Sequence, residues 1–294
     1  MKILKIFGWT LLSVFVFFLV LLIGLAVFDY LTDDMEVMRV ERTDVNLSES
    51  SIQLFCAYMN GDEQAQGLDQ LLSEAADSDI ILMQNAPEEY EKRLESLFPQ
   101  HNLYFSFTKR APISFSSHGQ VELLTFSGLY TLSTFSPKEV RKLLLPTDIN
   151  WFNSLLSPSP SVQILEFAAG NTPLFIINMD QKTNRQFESG GMNTSRLDYL
   201  KSSILETLPK DARVIIVGSW QNRLPGQLTA NPSLDEPFIP LDWTKAGWQW
   251  IYSPDSLTGY GALVSHNIQV KAITSVGTST TWSSPPLKLQ LAIR

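Results

Sequence analysis

The sequence predicts a layered α+β body, two packed sheets with helices outside, preceded by one N-terminal transmembrane helix. Three observations carry this expectation. No residue from Ile6 to Phe28 ionises, and most are Leu, Val, Phe or Ile. After that run, short segments with strand period recur, several of them joined by turn signals. Between them lie two or three stretches with helical spacing. The chain has 294 residues, enough for a substantial core, and neither an internal repeat nor a boundary within the body is visible.

At about 1.5 Å per residue, a helix over residues 6–28 would cover a hydrocarbon core of roughly 30 Å. A cleavable signal peptide would have a shorter apolar stretch and small residues before the cut. Here the run ends in Val27, Phe28, Asp29 and Tyr30, which favours a retained anchor. Lys2 and Lys5 precede it, whereas Asp29, Asp33, Asp34 and Glu36 follow it. The positive-inside rule then places the N-terminus in the cytoplasm. The expectation is a single-pass protein whose main domain is extracytoplasmic (periplasmic in a Gram-negative bacterium), with the lipid bilayer as partner through residues 6–28. Residues 1–28 form the cytoplasmic tip and span, 29–50 a polar, acidic juxtamembrane stalk, and 51–294 the body.

Within the body, Ser51–Tyr58 reads as a strand, Gly67–Ala76 as a helix and Asp79–Met83 as a compact apolar strand. Pro87–Leu97 reads as a helix with Glu89, Lys92 and Arg93 on its polar side. Leu103–Thr108, Ile113–Phe115 and Val121–Phe126 read as strands, with a hairpin at Ser117-His118-Gly119. Residues 131–161 have scattered Pro and Ser around a short helical piece at Pro137–Leu145. Val162–Ala168 and Pro173–Asn178 flank a turn at Gly170-Asn171, a hairpin signal. Arg196–Leu208 is amphipathic and is stopped by Pro209. Arg213–Val217, Gln249–Tyr252, Gly261–Val264, Ile268–Ile273 and Leu287–Ile293 complete the strands.

The charge balance disfavours a nucleic-acid partner. Thirty acidic residues stand against 22 basic ones, of which Lys2 and Lys5 precede the apolar run. No basic cluster exceeds two adjacent residues, as at Lys92-Arg93 and Lys109-Arg110. The single cysteine, Cys56, lies in a strand-like run and reads as a buried, inert thiol. Histidine is limited to His101, His118 and His266. There is no HExxH, CxxC, P-loop, Gly-rich dinucleotide loop or GxSxG elbow. Asp180 ends a strand, where a carboxylate could bind Mg²⁺ or hold a base, or simply be a solvated cap. Ser219-Trp220-Gln221-Asn222 also follows a buried strand, yet neutral side chains are poor hard-cation ligands without carboxylates beside them. Trp243, Trp248, Trp250 and Tyr252 suit pocket lining or core packing equally.

The order of elements and their local words resemble the endonuclease/exonuclease/phosphatase superfamily over residues 51–293. The family's "TYN" word corresponds to Ala57-Tyr58-Met59, with Asn60 adjacent, and its "ADPDVVLLQE" to residues 76–85, ending Gln84-Asn85. "NTHL" corresponds to Asn178-Met179-Asp180-Gln181, and "GDFN" to Gly218-Ser219-Trp220-Gln221. "RIDYILVS" is echoed by Tyr260 and Ala262-Leu263-Val264-Ser265, and "SDHRPL" by Trp282-Ser283-Ser284-Pro285-Pro286-Leu287. The resemblance implies a DNase I-like four-layer α/β/β/α sandwich and a cleft built for Mg²⁺-dependent phosphoester hydrolysis.

It also implies that the chemistry has been replaced. Asn85 stands for the metal-binding Glu, Asp180 for the phosphate-binding His, and Ser219 and Gln221 for the Asp–Asn pair. Tyr260 stands for an Asp, and Ser283 and Ser284 for the Asp–His general-base pair. A serine hydroxyl is no base near pH 7, and an amide brings no charge to a metal. The leading expectation is therefore a membrane-anchored, catalytically degenerate domain that needs no cofactor. It would act by binding or complex formation, with a protein partner or a small phosphorylated ligand. Two alternatives stand beside it. One is a divergent Mg²⁺-dependent phosphodiesterase or phosphatase with its site relocated to His118, Glu122, Asp180 and His266. The other is a purely structural envelope component.

Overall fold

The computed structural model describes residues 2–32, 38–40, 47, 51–59, 64–115, 121–144, 161–179, 200–219, 247–252, 260–276 and 285–293. Helix α1 spans Lys2–Thr32. Strands β1 (Met38–Val40) and β2 (Ser51–Tyr58) follow, then helix α2 (Gln64–Ala75), β3 (Ile80–Pro87) and α3 (Glu91–Leu97). The remaining strands are β4 (Asn102–Phe115), β5 (Val121–Ser133), β6 (Glu139–Leu144), β7 (Ser161–Phe167), β8 (Leu174–Met179), β9 (Arg213–Ser219), β10 (Gln249–Tyr252), β11 (Tyr260–Val264), β12 (Ile268–Ser275) and β13 (Leu287–Ile293).

These strands form two mixed sheets. One has seven strands in the order β1-β4-β5-β3-β2-β13-β12, the other six in the order β10-β11-β9-β8-β7-β6. Each sheet holds one parallel pair, β2 with β3 and β8 with β9, and every other pairing is antiparallel. The parallel β2–β3 pair needs a crossover, which α2 supplies.

Period-2 alternation explains the layering. On β2, Ile52, Leu54, Cys56 and Tyr58 face the second sheet, where they meet Leu165, Ile176, Ile215 and Val217. Their neighbours Phe55, Ala57 and Met59 face outward and are covered by Leu68, Leu71 and Leu72 of α2 and Leu94 of α3. On the far side, Val162, Ile164, Phe175, Ile177 and Ile216 are covered by Leu200 and Ile204. The central strands are buried on both faces, which is why they read as continuous apolar runs rather than alternating ones. The result is the α/β/β/α order of layers.

The transmembrane part of the expected fold is not upheld. Residues 6–28 do lie within a helix, α1, but among the described residues no helix is long and apolar enough to cross a membrane. The bilayer partner, the cytoplasmic N-terminus, the signal-anchor reading and the extracytoplasmic or periplasmic placement all rested on that span. They fall with it.

Other differences are local. Pro137–Leu145 was expected to be helical, but β6 is a strand there, paired with β7 from Glu139↔Glu166 to Leu144↔Ser161. The three short strands expected between residues 103 and 126 belong to one long hairpin, whose pairing runs out to Phe115↔Val121. The helix expected to start at Pro87 begins at Glu91, because β3 continues to Pro87 and a single 3-10 turn intervenes. Within residues 29–50, β1 adds an edge strand beside β4, and Leu47 is buried in the inter-sheet core.

Candidate functional site

The parallel pairs β2–β3 and β8–β9 end at the same edge of the sandwich. There Tyr58 pairs with Gln84, and Asn178 with Val217. Two inward positions at this end are polar, although the positions two residues earlier are apolar. On β3 Leu82 gives way to Gln84, and on β8 Ile176 gives way to Asn178.

These side chains form one chain of hydrogen bonds between the sheets. The Tyr260 hydroxyl donates to Gln84 Oε1 at 2.5 Å. Gln84 Nε2 donates to Asn178 Oδ1, also at 2.5 Å. Asn178 Nδ2 donates to the Tyr130 carbonyl at 3.1 Å and to Thr131 Oγ1 at 3.3 Å. The Thr131 hydroxyl passes its own hydrogen to Gln163 Oε1 at 2.6 Å, and Gln163 Nε2 reaches Ser106 Oγ at 3.1 Å. All six side chains are fully buried. Buried polar groups cost free energy unless paired, and here donors and acceptors are matched along the whole run. None of the six carries a charge near neutral pH.

Asn85 sits beside this chain with φ +54°, in the left-handed region. The pairing of β3 with β5 slips between Met83 and Ala86, so the residue occupies a β-bulge. Asn tolerates this conformation better than most residues with a Cβ. Both ends of its amide are engaged: Nδ2 donates to the Met59 carbonyl at 2.6 Å, and Oδ1 accepts from Ser127 Oγ at 3.2 Å. Met59 itself is buried toward the α2–α3 layer.

Close glycine packing sets the strand spacing nearby. A Cβ on Gly128 would run into the Ser106 carbonyl and come within 2.6 Å of the Phe105 ring. Trp250 lies across Gly261, and Met179 across Gly218, filling the space that side chains would have taken. Trp248 and Trp250 pack against the outer face of the second sheet, so these two aromatics serve the core.

Of the residues singled out in the sequence, Met59, Asn85 and Tyr260 lie at this end of the sandwich, together with Gln84 and Asn178 from the same motif words. His266 does not. It is exposed in the turn after β11, whereas Tyr260 begins that strand. Glu122 lies on the part of the β4–β5 hairpin that runs on past the β3 pairing, opposite Ser114. Asn60, His118, Asp180, Gln221, Ser283 and Ser284 lie outside the described residues, as do the side chains of Glu122 and Ser219. Thr131, Gln163 and Ser106 were missed. Their signal was a lone polar residue at an inward position of a buried strand.

With this geometry in place, comparison with solved structures is decisive for the fold. An endonuclease/exonuclease/phosphatase from Beutenbergia cavernae superposes with a TM-score of 0.56 at 12% identity, over 83% of this chain and 72% of that one. A family protein from Bacteroides thetaiotaomicron gives 0.55 at 11% identity, over 83% and 98%. The fold is that of the endonuclease/exonuclease/phosphatase superfamily. ANGEL2, a 2',3'-cyclic phosphatase, shares it with a TM-score of 0.53 and 13% identity, over 88% of this chain and 99% of that one. No family model matches the sequence, and no curated protein matches it.

Metal-dependent phosphoester hydrolysis, which the sequence resemblance implies, calls for a hard, anionic donor set. The described residues do not fit it. Oxygen donors with charge are what Mg²⁺ takes from a protein, whereas Asn85 is neutral and already committed at both amide atoms. Among the described residues, no group of three His, Cys, Asp or Glu could hold a metal ion.

Proposed function

We propose that this domain is a non-hydrolytic member of its fold that acts by binding, with a protein partner or a small phosphorylated ligand. One observation carries the reading. The end of the sandwich that holds Gln84, Asn85, Asn178 and Tyr260 is built from a neutral hydrogen-bond chain, and by the resemblance Asn85 takes the place of a metal-binding carboxylate. Hydrolysis in this chemistry needs a cation to neutralise the phosphoryl oxygens and a base to activate water. The chain from Tyr260 to Ser106 supplies neither, because it is built of amides and hydroxyls that hold one another. Ser283 and Ser284 in place of an Asp–His pair add to the same reading from the sequence.

The test is an assay of the purified protein with Mg²⁺ or Mn²⁺ on bis(p-nitrophenyl) phosphate and p-nitrophenyl phosphate. We expect no turnover above the buffer blank, no Mg²⁺ binding by calorimetry, and no gain of either from Asn85→Glu alone. Metal-dependent hydrolysis that disappears in Asp180→Ala would overturn the proposal in favour of a relocated site. The binding arm is a calorimetric titration with inorganic phosphate and with AMP. Heat from either identifies the small-ligand mode, and silence from both leaves the protein partner as the mode to pursue.

A further inference from the structure

His101 is a buried histidine that nothing at the candidate site uses. It lies between α3 and β4, only 6% exposed, and joins two turns at the opposite end of the sandwich. Its backbone N–H donates to the Phe98 carbonyl at 3.0 Å, closing the turn after α3. Its Nε2 lies 2.9 Å from the carbonyl of Ser78, in the turn after α2. A carbonyl only accepts, so Nε2 must carry the hydrogen, and the neutral ring is the Nε2–H tautomer. Nδ1 is then a bare lone pair, and it has no hydrogen-bond partner among the described residues. The Phe98 ring packs edge-on against the imidazole, with centroids 5.3 Å apart.

We propose that His101 is a proton-sensitive latch between the turn after α2 and the turn after α3, closed while the ring is neutral and released when it takes up a proton. A proton on Nδ1 would create a buried N–H with nothing to donate to, and a charge inside a packed layer. The surroundings offer little compensation. The turn after α2 carries Asp77, which Lys288 holds at the surface, and Asp79. Helix α3 carries Glu91, Lys92, Arg93 and Glu95, while Asn102 and Ser133 on the flanking strands and Thr134 just after β5 are neutral. Of these groups only the Asp79 charge acts on the ring. It favours the proton, as does the Ser78 carbonyl, yet burial outweighs both and holds the imidazole below its ordinary 6.5. The Asp79 carboxylate is also engaged, by the Gln53 N–H at 2.7 Å.

The sign follows from linkage. Once the latch opens, the ring recovers its ordinary affinity and binds more protons than in the closed state. Opening is therefore unaffected well above pH 6.5 and favoured below it, by up to about tenfold between pH 7.5 and 5.5.

The experiment is hydrogen exchange on the full chain at pH 7.5 and 5.5, with rates corrected for intrinsic chemical exchange. The amides of Ser78, Phe98 and His101 report the latch, since each donates within one of the two turns. We expect them to lose up to about tenfold in protection at pH 5.5, and His101→Phe to lose that pH response. A general acid effect would appear equally in both proteins, and an equal response in both overturns the proposal. Should His101→Phe fail to fold, imidazole ¹⁵N spectra of the unaltered protein decide instead. His101 must start as the neutral Nε2–H tautomer and take up its proton below the ordinary 6.5, and an ordinary titration near 6.5 overturns it.

Discussion

Replacing Asn178 by Leu tests whether the inter-sheet chain is a closed unit. Leu is close to Asn in shape, so the change removes hydrogen bonding with little change in volume. Asn178 accepts from Gln84 and donates to the Tyr130 carbonyl and to Thr131. Each lost bond costs about 1 kcal/mol net, and an orphaned buried donor adds about 1–3 kcal/mol of unrecovered desolvation. The Tyr130 carbonyl is also on a strand with ladder partners, so the orphan that matters is Gln84 Nε2. The expected loss is about 4–6 kcal/mol. Gln84→Leu costs about 3 kcal/mol for the reciprocal reason, since the Asn178 carbonyl loses its donor and the Tyr260 hydroxyl its acceptor. Removing both amides together eliminates the mutual orphans, so the double variant must cost at least about 1 kcal/mol less than the sum. Urea unfolding followed by tryptophan fluorescence measures all three, with a midpoint shift at constant m-value as the readout. A single substitution costing under about 1 kcal/mol, or strict additivity of the pair, would refute the claim that these groups form one matched network.

Two further outcomes follow from packing. Gly128→Ala places a methyl group against the Ser106 carbonyl and the Phe105 ring, and backbone cannot swing aside as a side chain can. It should cost about 3 kcal/mol, at the upper end for overpacking, seen as a lower urea midpoint. The Cys56 thiol is fully buried, and burial pushes it far above its ordinary range. It should not react with a disulfide reagent at pH 8 in the native protein and should react stoichiometrically once urea unfolds the chain, as read by thiol titration.

The strands of the inter-sheet core were legible because their signal is local. Ser51–Tyr58, Gln249–Tyr252 and Leu287–Ile293 were bounded correctly from runs of Val, Ile, Leu and aromatic residues alone. Helices α2 and α3 were found from apolar spacing, although the end of β3 and a 3-10 turn take up the first four residues of the second. The motif words singled out Gln84, Asn85, Asn178 and Tyr260, which the fold brings to one end of the sandwich. Beyond that, local pattern had nothing to say about what those residues do. The Glu139–Leu144 segment reads as helical by itself and becomes a strand only because β7 offers an edge with which to pair.

What the sequence by itself determined is the set of apolar runs and the order of elements. Composition and spacing are one-dimensional properties, so they need no partner. Tertiary structure alone decided that β13 lies between β2 and β12. It also decided that Tyr260 and Gln84, 176 residues apart, meet at 2.5 Å. The physical reason is the same in each case. A lone Gln or Thr in a buried strand is a cost by itself, and only the facing strand shows that another residue supplies the missing hydrogen bond.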